Sequence, residues 1–266
     1  MTPASASVRA RRRRARHENL VEAFSAIARA VPTGHVETEG GVTIVQSGLD
    51  TSGFNIVYAL DRPLSTNRLE RRIEETFTRR GIPWHLTTTP AISPALRGLI
   101  RRFHLTQHLV HPAFVWTRLP DTVPPVPDGL DIRPVRTAEQ VRSFASTAAE
   151  GFGEPSGTLD PWAEGAIAAS QTGSSLSGLY LGYAGGRPAG TVSRVITRDI
   201  AGIYAVVTLP EFRHRGFATA LTYRAAVDGR AEGCRESYLQ ATELGRPIYE
   251  RMGYRLVEEY DEWYPE

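Results

Sequence analysis

The 266-residue chain contains no lysine: all 31 of its Lys-plus-Arg residues are arginine. That absence excludes a nucleoside-triphosphate loop of the Gly-Lys-Ser/Thr type. Cysteine is almost missing as well. Cys234 stands alone, which excludes an intramolecular disulfide and fits a reducing, cytoplasmic setting. Its expected role is a small filler beside a buried strand. No apolar run approaches the roughly 18 to 20 residues that a membrane helix needs, so no membrane partner is expected. The seven histidines show no metal-ligand spacing, and no metal is expected. Hydrophobic residues at 41% and charged residues at 23% are ordinary for a globular protein of one large or two small domains.

Charge is unevenly placed. Arg9, Arg11, Arg12, Arg13, Arg14 and Arg16 crowd the first 16 residues without an acid among them, so the formal charge of +2 becomes −4 for the remainder. A mildly acidic body argues against an extended nucleic-acid-binding face. Twin arginines occur without a following apolar stretch, against a secretion signal. Residues 1–17 are expected to form a solvated, disordered tail.

Residues 119–129, Leu-Pro-Asp-Thr-Val-Pro-Pro-Val-Pro-Asp-Gly, carry four prolines and read as an extended linker between domains 18–118 and 130–266. Before it, Leu20, Phe24, Ile27 and Val31 mark one helix face. Strands are expected at 42–47 and 55–60, a helix after Ser65 ending at Gly81, a strand at 84–88, a helix at 94–104 and a strand at 114–118. After it come a strand at 130–134 and a helix opened by the capping-box pair Thr137 and Gln140. A second helix opens at Asp160-Pro161. Strands at 179–184 and 191–197 flank the Gly185-Gly186 turn. A third strand lies at 203–208. A helix spans roughly 216–233, a strand 236–240 and a short helix 243–252. One or two final strands cover 254–264.

The informative stretch is Val206-Val207-Thr208-Leu209-Pro210 followed by Arg213-His214-Arg215-Gly216-Phe217-Ala218-Thr219. A strand runs through a proline turn into a glycine-bearing loop and then an alanine-rich helix. Helix N-termini offer free N–H groups and partial positive charge, which a diphosphate accepts. Gly216 lets the backbone approach, Ala218 keeps the first turn uncrowded, and Arg213 and Arg215 add attraction. A dinucleotide fingerprint is excluded because its Gly-x-Gly opening is missing. The pattern Arg/Gln-x-x-Gly-x-Gly/Ala alone arises by chance roughly half a time per chain of this composition, so its context carries the reading.

That context is the order strand, loop, helix, strand and Tyr-bearing helix, the last reading Pro247-Ile248-Tyr249-Glu250-Arg251-Met252-Gly253-Tyr254. With it, residues 130–264 resemble the GCN5-related N-acetyltransferase (GNAT) superfamily. The resemblance implies an α/β (α+β) fold with a mixed, mostly antiparallel sheet flanked by helices. The N-terminal half resembles the same superfamily more faintly, as a smaller degenerate copy. Its segment Asp61-Arg62-Pro63-Leu64-Ser65 has no glycine where phosphates would need backbone access.

What the resemblance implies can be placed residue by residue. Val206, Val207 and Thr208 would pair with the pantetheine arm of acetyl-CoA and polarise the thioester carbonyl. Arg213, His214, Arg215, Gly216, Phe217, Ala218 and Thr219 would hold the pyrophosphate. Tyr249 would protonate the departing thiolate. Thr242 stands where many members have a cofactor-binding asparagine, and Gly245 where alanine is usual. For the general base, Glu150, Glu154 and Glu211 are candidates, with Glu154 preferred. The implied activity is acetyl transfer from acetyl-CoA, as co-substrate, to a primary amine of a small molecule or peptide by direct attack in a ternary complex. The alternative is a non-catalytic acyl-CoA-binding regulatory module. The expected assembly is a monomer or homodimer. Having no lysine, the protein cannot acetylate its own lysine side chains.

Overall fold

The computed structural model describes residues 3–173 and 176–266, with side chains from Ser7 onward. Helix α1 (Pro3–Ala30) is followed by β1 (His35–Glu39), β2 (Val42–Gln46), β3 (Ile56–Ala59), α2 (Thr66–Thr76), β4 (His85–Thr88), α3 (Arg97–Arg102) and β5 (Leu105–Trp116). Then come β6 (Leu130–Pro134), α4 (Ala138–Phe152), α5 (Asp160–Gln171), β7 (Leu179–Ala184), β8 (Arg187–Thr197) and β9 (Ile200–Thr208). The chain ends with α6 (Phe217–Ala231), β10 (Glu236–Gln240), α7 (Arg246–Met252) and β11 (Arg255–Pro265). No helix among the described residues is long and apolar enough to cross a membrane.

Two compact units form, a larger one of Met1–Ala23 and Phe114–Leu256 and a smaller one of Phe24–Ala113 and Val257–Glu266. The division therefore falls within β5 and within β11. It does not coincide with the proline-rich residues 119–129.

In the larger unit the strands lie in the order β6-β7-β8-β9-β10. Neighbours are antiparallel except β9 and β10, which are parallel and therefore need α6 as their crossover. Gly185 and Gly186 both take left-handed backbone, at φ 57° and 78°, as the tight β7–β8 hairpin requires. Thr137 and Gln140 form the expected capping box on α4. Helix α6 packs closely because side chains give way beneath it: a Cβ on Gly182 or Gly190 would meet Leu221, and one on Gly229 would meet Ala201. Leu221, Ala225 and Ala226 join Phe114, Trp116, Val192, Tyr249 and Tyr254 in the core.

The arginine-rich start corrects one expectation: from Pro3 it is helix, not a disordered tail. Arg12, Arg16 and Asn19, spaced four and three apart, share one helix face. Arg12 pairs with Asp199 at 2.7 Å, and Arg16 grips the buried Glu236 carboxylate at 2.9 and 3.1 Å. Asn19 lies against Gly202, donates to Val195 O and Thr197 Oγ1, and accepts from the Tyr204 hydroxyl. Buried carboxylates demand a paired cation, and that demand orders the helix. Arg9, Arg11, Arg13 and Arg14 remain exposed.

The smaller unit has the strand order β1-β2-β3-β4-β11. Its core gathers Val42, Ile44, Val57, Leu69, Ile73, Phe77 and Leu86. Strands β3 and β4 run parallel and pair along their whole length, from Ile56 with His85 to Ala59 with Thr88. Helix α2 is capped by Ser65, whose hydroxyl accepts from the Arg68 N–H at 3.3 Å.

Candidate active site

The two parallel crossovers differ in a way that matters chemically. In the smaller unit the strands pair fully and the crossover helix is capped by a side chain. In the larger unit β9–β10 pairing covers Ile200 to Gly202 opposite Glu236 to Tyr238 and then stops, although β9 continues to Thr208. The backbone of β9 beyond Gly202 is left without its parallel neighbour. Such an edge can accept an extended ligand as an added strand.

A bulge produces this divergence. Thr191 opposes Val207 and Ser193 opposes Tyr204, so Val192 faces both Ala205 and Val206. Ala205 takes left-handed backbone at φ 49°, and its carbonyl accepts the Thr191 hydroxyl at 2.7 Å. A bulge re-aims the side chains that follow it. Here Ile203 and Val206, three apart, pack on the same core cluster, where regular alternation would send them to opposite faces. Val207 then abuts the end of α4, since a Cβ on Gly151 would lie 1.9 Å from Val207 Cγ1.

Past Thr208 a short 3-10 turn, Pro210–Phe212, leads into the glycine loop. His214 and Gly216 both have left-handed backbone, at φ 63° and 78°. Buried Phe212 and Phe217 stack at 6.2 Å and fix the loop from below, with the Arg215 guanidinium 5.7 Å from the Phe212 ring. Arg213, His214, Arg215 and Gly216 are exposed. Arg213 is folded back, donating from Nε to the Thr208 carbonyl at 3.2 Å. Helix α6 has no side-chain cap and no acid in its first turn. Its first free N–H groups, from Phe217, Ala218 and Thr219, therefore keep their donor capacity and the positive end of the helix dipole.

The residues present fit a coenzyme A thioester. Besides the uncapped turn and the open strand, Thr208 Oγ1 and Gln240 Nε2, at the ends of the two diverging strands, are buried without a hydrogen-bond partner among the described residues. Buried polar atoms without partners, set where the two strands part, are what a polar chain bound between them would satisfy.

Tyr249 lies on α7 in the same core cluster as Leu221 and Ala225 of α6, and is 7% exposed. Burial pushes its hydroxyl up to about 12, opposed in part by Thr222. Gly245 makes room for it, because a Cβ there would stand 3.0 Å from Tyr249 Cε2. Thr242 serves the helix start: its carbonyl and hydroxyl accept the Gly245 N–H at 3.0 and 3.2 Å. Glu154 follows the left-handed Gly153 that ends α4, with its N–H on the Ala149 carbonyl. Glu211 is engaged with Arg187 at 3.5 Å. Among the described residues, no group of three or more His, Cys, Asp or Glu is placed to hold a metal ion. Sequence reasoning missed Thr191, which pins the bulge, and Pro127, which packs beside Gly216. Both act across long sequence distances and left no local signal.

The Acetyltransferase (GNAT) family model matches residues 141–254. No curated protein matches the chain. Among solved structures, a GCN5-related N-acetyltransferase from Kribbella flavida is similar at TM-score 0.63 and 15% identity, over 93% of this chain and 95% of that one. One from Sphaerobacter thermophilus reaches 0.62 at 18% identity, over 85% and 81%. A GCN5-related N-acetyltransferase-like protein from Streptococcus suis reaches 0.57 at 12%, over 88% of each. At such identities the likeness is one of fold. Residues 141–254 form a domain of the GNAT acetyltransferase family, within a mixed α/β architecture whose sheets are flanked by helices.

Proposed function

We propose that the larger unit is an acetyl-CoA-dependent N-acetyltransferase that acetylates a primary amine by direct attack in a ternary complex. The observation that carries this reading is the uncapped first turn of α6 beside the unpaired end of β9. Acetyl-CoA supplies the activated thioester. The N–H groups from Arg213 to Thr219 hold its pyrophosphate, and the backbone of Val206 to Thr208 aligns the pantetheine arm and polarises the carbonyl. Thr242, committed to the α7 turn, contributes through the position of its loop.

As the amine nitrogen bonds to the carbonyl carbon, the C–S bond breaks. The sulfur takes the Tyr249 proton, and the amine proton passes to Glu154 directly or through water. The raised Tyr249 hydroxyl supports this role, since it stays protonated at neutral pH. For Glu154, support comes from the contact of Gly151 with Val207, which brings the end of α4 to the reacting strand. We further infer that the smaller unit is a degenerate copy. It repeats the order of antiparallel strands, helix and parallel strand, but Ser65 occupies its helix start and β3–β4 pairing closes its cleft.

A thiol-release screen with acetyl-CoA against amino acids, polyamines, aminoglycosides and peptide N-termini tests the activity. Release with at least one amine is expected. Tight acetyl-CoA binding with no release for any amine would replace the proposal by a non-catalytic acyl-CoA-binding module.

A further inference from the structure

The smaller unit contains a cavity of about 780 Å³ that the acetyl-transfer reading does not use. That volume lies within the range of roughly 300 to 1,000 Å³ typical of small-molecule sites. Three aromatic residues line it, Trp84, Phe103 and Tyr264, together with the acids Glu74 and Glu266.

The aromatic walls are fixed from behind. Trp84 stacks on buried Phe77 at 5.7 Å and meets Phe103 edge-on at 5.6 Å. Tyr264 stacks on His85 at 4.7 Å, and its hydroxyl donates to Glu262 Oε2 at 2.8 Å. His85 is itself locked. The Ser52 carbonyl can only accept, so Nδ1 carries the proton at 2.7 Å, and Nε2 accepts from the Thr87 hydroxyl at 3.1 Å. Burial lowers the pKa of this imidazole below its ordinary 6.5. Glu262 is held on its other oxygen by His111 Nδ1 at 3.1 Å. The Tyr264 ring thus presents a rigid face with its polar end already satisfied.

The charge balance of the lining is negative. Arg102 also lines the cavity, its guanidinium 5.7 Å from the Phe103 ring and its two terminal nitrogens on Glu70 and Glu74 at 3.1 and 3.3 Å. Glu74 is therefore paired, and Glu266 carries the unmatched charge. Glu266 is anchored by its N–H on the His104 carbonyl at 3.2 Å, and no ion pair among the described residues engages its carboxylate. Fixed aromatic faces with nearby carboxylates attract cations through the ring quadrupole and by charge.

We propose that this cavity is a binding site for a small organic cation, a protonated or quaternary amine carrying an apolar group. Benzyltrimethylammonium is a suitable probe, because it cannot be acetylated and so reports binding apart from turnover in the larger unit. Titrated calorimetrically into the full chain, it is expected to bind with a Kd of roughly 0.1–1 mM. Benzyl alcohol, which keeps the ring and loses the charge, should bind at least about 10-fold more weakly. Glu266→Gln should weaken the cation about 5-fold and Tyr264→Leu about 10-fold, while Tyr249→Phe leaves it unchanged. Because Tyr264→Leu removes a packed ring, Glu266→Gln decides alone if that variant fails to fold. The proposal is overturned if no heat appears at about 10 mM probe, if benzyl alcohol binds equally well, or if Glu266→Gln binds like the parent protein.

Discussion

Tyr249 brings together a ring packed in the core and a hydroxyl that burial pushes up to about 12. A phenol so held is protonated at any pH where the amine acceptor is reactive, which suits a donor to a departing thiolate. Tyr249→Phe keeps the packing and removes only the proton. It should lower kcat about 100-fold with little change in the KM for acetyl-CoA, read by thiol release. Gly245 tests the seat of that ring. Gly245→Ala places a Cβ 3.0 Å from Tyr249 Cε2, and should cost about 1 kcal/mol in urea denaturation while also lowering kcat. At Gly216 the constraint is the backbone, with φ at 78°. Gly216→Ala should cost about 1–2 kcal/mol and weaken acetyl-CoA binding measured by calorimetry.

Helix α1 shows how distant charges decide an element. Arg16, 14% exposed, pairs with Glu236, 3% exposed, from β10. Removing the cation leaves a buried carboxylate unpaired, so Arg16→Met should destabilise the larger unit by about 3 kcal/mol in urea denaturation. Adding Glu236→Met should recover much of that loss. The partners lie 220 residues apart, so nothing local in the arginine run announces an ordered helix. Elements specified by their own residues were legible: β7 by its apolar run, α2 by Ser65, α4 by its capping box. Strand β1 was not, because Glu37 and Glu39 give it no apolar face. The middle of β5 was not either, since Thr106 to Val110 are exposed. At the candidate site the glycine loop could be read directly. The bulge at Ala205 could not, because the hydroxyl that holds it belongs to Thr191 on the next strand.

For the whole molecule, pH reports on the His111–Glu262 pair. The bond to Glu262 raises the His111 pKa above its ordinary 6.5. Burial alone would raise Glu262, but His111 and its neighbours outweigh it and hold the carboxyl near about 2, against an ordinary 4.5. A raised histidine stabilises fully below its unfolded pKa and loses that contribution as pH rises through its folded one. A depressed carboxylate stabilises above its unfolded pKa. The pair therefore contributes most between pH 4.5 and 6.5. The Tm gap between the parent protein and His111→Gln should be widest there and shrink toward alkaline pH. Catalysis is best tested by steady-state thiol release from acetyl-CoA, comparing the parent protein with Tyr249→Phe on the best amine of the panel. Turnover by the parent, with a kcat about 100-fold lower and an unchanged KM in the variant, is the expected result. Equal kcat in both proteins would contradict the assignment of Tyr249 and the site built around it.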